Sequence, residues 1–133
     1  MFVAVYAVAQ DRTPHYKKLS VSIPNLICSA DERIVGFEIE ITAGMVRSVS
    51  NLPMGWHLIV DNDASWRTKI TGTTEVGAAA LSPSDLKKLR LLVTKDGTES
   101  AFAVTGTASV TKDFQNSRSI ALRGSDFAVS KVN

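Results

Sequence analysis

The densest cluster of groups able to do chemistry lies between Leu52 and Leu81, LPMGWHLIVDNDASWRTKITGTTEVGAAAL, which holds both tryptophans and one of the two histidines. Asp61, Asp63 and Ser65 sit at alternate positions, as the first oxygen ligands of a calcium loop do. An EF-hand would also need Gly at Asp61 plus five and an acidic residue at plus eleven, where this chain has Trp66 and Gly72, so that motif is excluded. A looser calcium site on Asp61 and Asp63, joined by Asp113 or Asp126 from other loops, stays open. The plainer role of such residues is to shape a hairpin corner by bonding their own backbone. Trp56 and Trp66, with His57, Asp61, Asn62, Asp63 and Arg67, form a candidate ligand-binding set in which an indole would stack on a sugar ring while its polar neighbours, Lys69 among them, fix the hydroxyls. The competing role is packing, because Trp56 shares strand phase with Leu58 and Val60, and at least one indole is expected in the core.

Other reactive types are scattered. Glu38 and Glu40 lie two apart and would point the same way on a strand, as an acid pair or as solvated charge. His15 and His57 have no ligand spacing. Cys28 is the only cysteine, which rules out an intrachain disulfide and a multi-cysteine metal site, and within LIC it reads as a small buried hydrophobe. The chain contains no G-x-S-x-G, no phosphate-cradling glycine loop and no zinc-hydrolase helix. The expectation is therefore a non-catalytic protein without a cofactor. A hydrolase whose site is assembled from distant loops ranks third.

A chain of 133 residues, 44% hydrophobic and 21% charged, fits one soluble domain able to bury a core without staples. Fifteen Lys plus Arg against thirteen Asp plus Glu, interspersed, give a net charge of +2 and leave no nucleic-acid footprint or polybasic membrane patch. Residues 1–9, MFVAVYAVA, are either a signal-peptide remnant ending in the small-x-small form Ala7-Val8-Ala9 or a first strand. They fall far short of the roughly 20 apolar residues of a membrane span. Residues 10–133 then form the domain, with an extracytoplasmic location, periplasmic or secreted, expected on the signal reading and a cytoplasmic one still open.

The elements that must position the cluster follow from period-two alternation. Lys17 to Ile23 alternates, and Arg33 to Thr42 sets Val35, Phe37, Ile39 and Ile41 against Glu38, Glu40 and Thr42. Met45 to Leu52 makes a third strand with Val49 and Leu52 inward. Trp56 to Val60 is a fourth, Asp61 to Ser65 a polar loop, and Trp66, Thr68 and Ile70 resume the alternation up to a turn at Gly72 to Glu75. Ser82-Pro83-Ser84-Asp85 starts one short helical turn near residues 83–89. Leu89 to Thr94, Ser100 to Val110, a strand anchored by Ile120 and Leu122, and Phe127 to Val132 complete the set, with a hairpin expected at Asp96-Gly97. About nine or ten strands predict an all-β, single-domain antiparallel sandwich in a cohesin-like, Ig-like or jelly-roll arrangement.

Residues 34–56, IVGFEIEITAGMVRSVSNLPMGW, resemble the opening of cohesin-type and related carbohydrate-binding sandwich domains, where such a strand leads through a turn into a second. Residues 55–81 resemble a group of short uncharacterised bacterial all-β proteins with a GW…VDND-x-SW-x-T-x-I…GAAAL pattern. A planar row of aromatics is missing, so the first resemblance implies fold and binding character only. Together these readings lead to an exported bacterial binding module for a protein or glycan. The alternative is a structural or assembly subunit that oligomerises through its edge strands.

Overall fold

Alternation of apolar and polar side chains builds two antiparallel sheets that close on one core. The structure, a computed structural model, describes residues 17–23, 29, 31–52, 54–74, 83–95 and 101–132. Strands β1 (Lys17–Ser22), β2 (Arg33–Thr42), β3 (Gly44–Ser50), β4 (Trp56–Asn62) and β5 (Arg67–Thr74) precede helix α1 (Pro83–Leu86). Strands β6 (Arg90–Lys95), β7 (Ala103–Thr111), β8 (Ser117–Leu122) and β9 (Ala128–Lys131) follow, with a 3-10 turn at Gly124–Asp126. One sheet has the order β3-β6-β1-β9 and the other β4-β5-β2-β7-β8. The expected all-β sandwich is what forms.

Two consecutive pairs lock the sheets together. The chain crosses between sheets from β1 to β2 and again from β6 to β7, while β1 pairs with β6 and β2 with β7. Leu19, Val21, Val46, Leu91 and Val93 of one sheet face Phe37, Ile39, Ile41, Ile70, Val104 and Val110 of the other in a single hydrophobic cluster. Sheet-on-sheet burial of this kind is worth about 1.5–3 kcal/mol per large apolar side chain. Leu86 and Leu89 close one side of it.

The departures from the sequence reading have local causes. A register shift between Ile34 and Gly36 makes Ile34 the buried residue and leaves Val35 half-buried, and a second shift between Val46 and Ser48 turns Val46 inward. Each bulge adds one residue and inverts the phase. Gly72 lies inside β5 rather than in a turn. A Cβ there would sit 2.4 Å from the Phe37 ring, so the glycine makes room for Phe37, which stacks on Trp56 with centroids 5.5 Å apart. Asp61 and Asn62 belong to β4 and shorten the expected polar loop. The expected first strand in residues 1–9, His15, Cys28, the Asp96-Gly97 hairpin and the small-residue run from Val76 lie outside the described residues. No described helix is long and apolar enough to cross a membrane.

Candidate functional site

The β4–β5 hairpin is built by its own polar side chains. Asp63 N–H donates to the Arg67 carbonyl at 2.8 Å and Trp66 N–H to the Asp63 carbonyl at 3.2 Å, so Ala64, Ser65 and Trp66 form a three-residue loop. Such loops end in a left-handed residue, ordinarily glycine. Here that residue is Trp66, with φ 61°. A bulky residue in this conformation costs about 1–2 kcal/mol. The Trp66 carbonyl accepts from Gly44 N–H at 3.0 Å, which ties the tip to the β2–β3 turn, where Ala43 is also left-handed at φ 62°.

Asp63 is consumed by the turn. Its Oδ1 accepts from Ser65 N–H at 2.9 Å, from the Ser65 hydroxyl and from Arg67 N–H at 3.2 Å. These bonds, the Ser65 hydroxyl first, hold its carboxyl below the ordinary range. Asn62 is a cross-strand clamp. Its side-chain carbonyl accepts from Val46 N–H at 3.1 Å, its amide donates to the Val46 carbonyl at 3.2 Å, and the Thr68 hydroxyl bridges Asn62 Oδ1 and the Gly44 carbonyl. The amide thus replaces the ladder bonds that β3 and β4, in different sheets, cannot make to each other.

Of the remaining sequence candidates, Trp56 is only 6% exposed and its ring lies against Phe37, so it belongs to the core. His57, Asp61 and Arg67 share the outer face of the five-stranded sheet. His57 and Asp61 are four residues apart on one strand, about 13 Å, too far to ligate one metal ion. Asp113 lies beyond the end of β7 remote from the hairpin, and Asp126 follows β8, four strand spacings or about 19 Å across the sheet from β4. Neither joins Asp61 and Asp63. Among the described residues no three His, Cys, Asp or Glu side chains gather as a metal site requires.

What the fold does assemble is a charged depression of about 250 Å³ on the outer face beside the hairpin tip, with Glu40, Thr42, Asp61, Arg67 and Lys69 in its wall. Register explains it: Asp61 lies opposite Lys69, Lys69 opposite Glu40, and Arg67 opposite Thr42. Lys69 also pairs with Glu38 at 3.2 Å, both half-exposed. Glu38 and Glu40 thus stand on the wet face, as expected, on either side of one cation, Lys69, which bonds Glu38 and lies opposite Glu40 in register. The sequence places Lys69 beside the tryptophans and Glu40 on a wet strand face, but it does not join either to Asp61, because the pairing that does so spans three strands. Alternation did show Glu40 to be outward.

A larger depression, about 360 Å³, lies at the opposite end between Glu32, Asp113, Asn116 and Arg118. Its acids are occupied. Glu32, 2% exposed, receives Arg118 Nε at 2.8 Å, Arg118 Nη2 at 2.7 Å and Ser29 N–H at 2.8 Å. The Arg118 guanidinium, then the Ser29 N–H, lower its pKa to about 2. Asp113 caps its own loop through Asn116 and Gln115 N–H, which hold it below the ordinary range. This end is a structural lock between the segment entering β2 and the edge strand β8, and nothing in the local sequence around Glu32 announced it. The chain matches no family model, no curated protein and no solved structure.

Proposed function

We propose that this chain is a non-catalytic binding module of a bacterial exported protein, which holds a protein or glycan ligand at the charged depression beside the β4–β5 tip. The observation that carries the reading is the contrast between the two ends of the sandwich. Glu32 and Asp113 spend their carboxylates on the fold, whereas Asp61, Glu40, Arg67 and Lys69 are exposed and set in alternating sign across neighbouring strands. Such an array suits hydroxyls and mixed charge, and surface pairs of this kind cost little to exchange for a ligand. The left-handed Trp66 next to Arg67 adds support, since backbone strain persists where the side chain it places is of use. The resemblance of residues 34–56 to carbohydrate-binding sandwich domains and the Ala7-Val8-Ala9 ending agree with binding and with export.

The test is an array of immobilised glycans and peptides probed with the native chain and with an Arg67→Ala/Lys69→Ala variant. Spots bound by the native chain and lost by the variant, at unchanged melting temperature, are the expected result. Equal binding by both, or none across neutral, acidic and basic ligands, would sink the reading. A second reading, a subunit that assembles through its sheet edges, is favoured by one observation: among the described residues β4 is an outer strand, with Ile59 67% exposed.

A further inference from the structure

We infer that β4 pairs antiparallel with β4 of a second copy of this chain, about a two-fold axis at Ile59, to make one continuous sheet from the two five-stranded ones. The inference rests on the assembly reading and names its partner and register. β4 is an edge strand among the described residues, paired only with β5. Because Asp63 N–H bonds the Arg67 carbonyl and ladder bonds alternate, the odd residues of β4 bond β5, and the N–H and C=O of Leu58 and Val60 point away from it.

The other edges are guarded in familiar ways. β3 carries the bulge between Val46 and Ser48, β9 is four residues long and ends in Lys131, and β8 presents polar Ser117 and Ser119, with Arg118 drawn onto Glu32. β4 has no proline, lysine or bulge and runs Leu58-Ile59-Val60 through its centre, with Val60 38% exposed.

The choice of a second copy comes from self-complementarity. With the axis at Ile59, Ile59 meets Ile59 in a non-hydrogen-bonded pair, where side chains approach most closely. Leu58 meets Val60 on the inner side, and their outward N–H and C=O groups bond reciprocally. On the outer face each His57 meets Asp61 of the second copy, donor to carboxylate, at both ends of the contact. Centring one residue later sets Ile59 against Asp61, and one residue earlier sets it against His57. Only the Ile59 register matches apolar with apolar and polar with polar, as an isologous interface requires.

Sedimentation over roughly 1 μM to 1 mM tests the pairing, since one strand pair should give a dimer dissociating on the order of 10–100 μM. Ile59→Lys should leave only monomer with the native circular dichroism spectrum. His57→Glu should weaken association by roughly tenfold by setting a carboxylate opposite Asp61, Asp61→Lys should weaken it by removing the acceptor of His57, and the double variant H57E/D61K, which sets Glu opposite Lys, should recover it. Amide exchange gives a second readout: Leu58 and Val60 should gain protection with concentration. A chain monomeric throughout, a dimer indifferent to Ile59→Lys, or single swaps that the double variant does not rescue would each overturn the proposal. Ile59→Lys lies outside the wall of the charged depression and so tests the pairing without altering the ligand site, which the Arg67 and Lys69 variant on β5 tests separately.

Discussion

The two tryptophans have opposite relations to the fold. Trp56 is buried and stacks on Phe37, for which Gly72 makes room, so Trp56→Ala should cost about 3–5 kcal/mol in denaturant unfolding. Trp66 is half-buried and left-handed, and Trp66→Gly relieves strain of about 1–2 kcal/mol while losing indole packing. Its net effect should stay within about 1 kcal/mol, and a loss as large as that of Trp56→Ala would show Trp66 to be a packing residue instead. Glu32 supplies the pH response. Its folded pKa of about 2 lies below its ordinary 4.5, so its contribution is complete above about pH 4.5 and is lost as pH falls towards 2. Urea midpoints measured through that window should fall less in Glu32→Gln than in the native chain. With the Oδ1 of Asp63 already accepting three bonds, saturating calcium should leave the melting temperature unchanged.

At the scale of elements, close strand approaches depend on glycine. A Cβ at Gly106 would lie 2.2 Å from the Glu38 carbonyl, a backbone atom that cannot swing aside, so Gly106→Ala should part β7 from β2 and cost about 1–3 kcal/mol or more. A thermal melt within error of the native one would contradict that packing. These elements also show where sequence was informative. Arg33–Thr42 could be read to the residue at both ends because its outer face is wet along most of its length and alternates in polarity. The bulges in β2 and β3 could not, since an added residue changes phase without any marked residue type. Gly72 reads as a turn in the sequence because glycine signals both a bend and a close contact, and only the position of Phe37, far away in sequence, decides between them.

Over the whole molecule, the core and the polarity of the tip follow from alternation, but the candidate site is a product of strand order. Asp61, Lys69 and Glu40 come together because β4, β5 and β2 are neighbours in that order, a long-range fact that no local spacing encodes. The polar cluster from Asp61 to Trp66 is thereby divided. Asn62 ties the two sheets together, Asp63 closes its own hairpin turn, Asp61 and Arg67 face outward, and Trp66 marks the corner between them. The measurement that tests this division most directly is a residue-resolved amide shift map recorded as a binding glycan or peptide is added. Shifts gathered at Thr42, Asp61, Trp66, Arg67 and Lys69, with Trp56 and the Glu32–Arg118 end unmoved, are predicted; shifts centred on the Glu32 end would contradict the account.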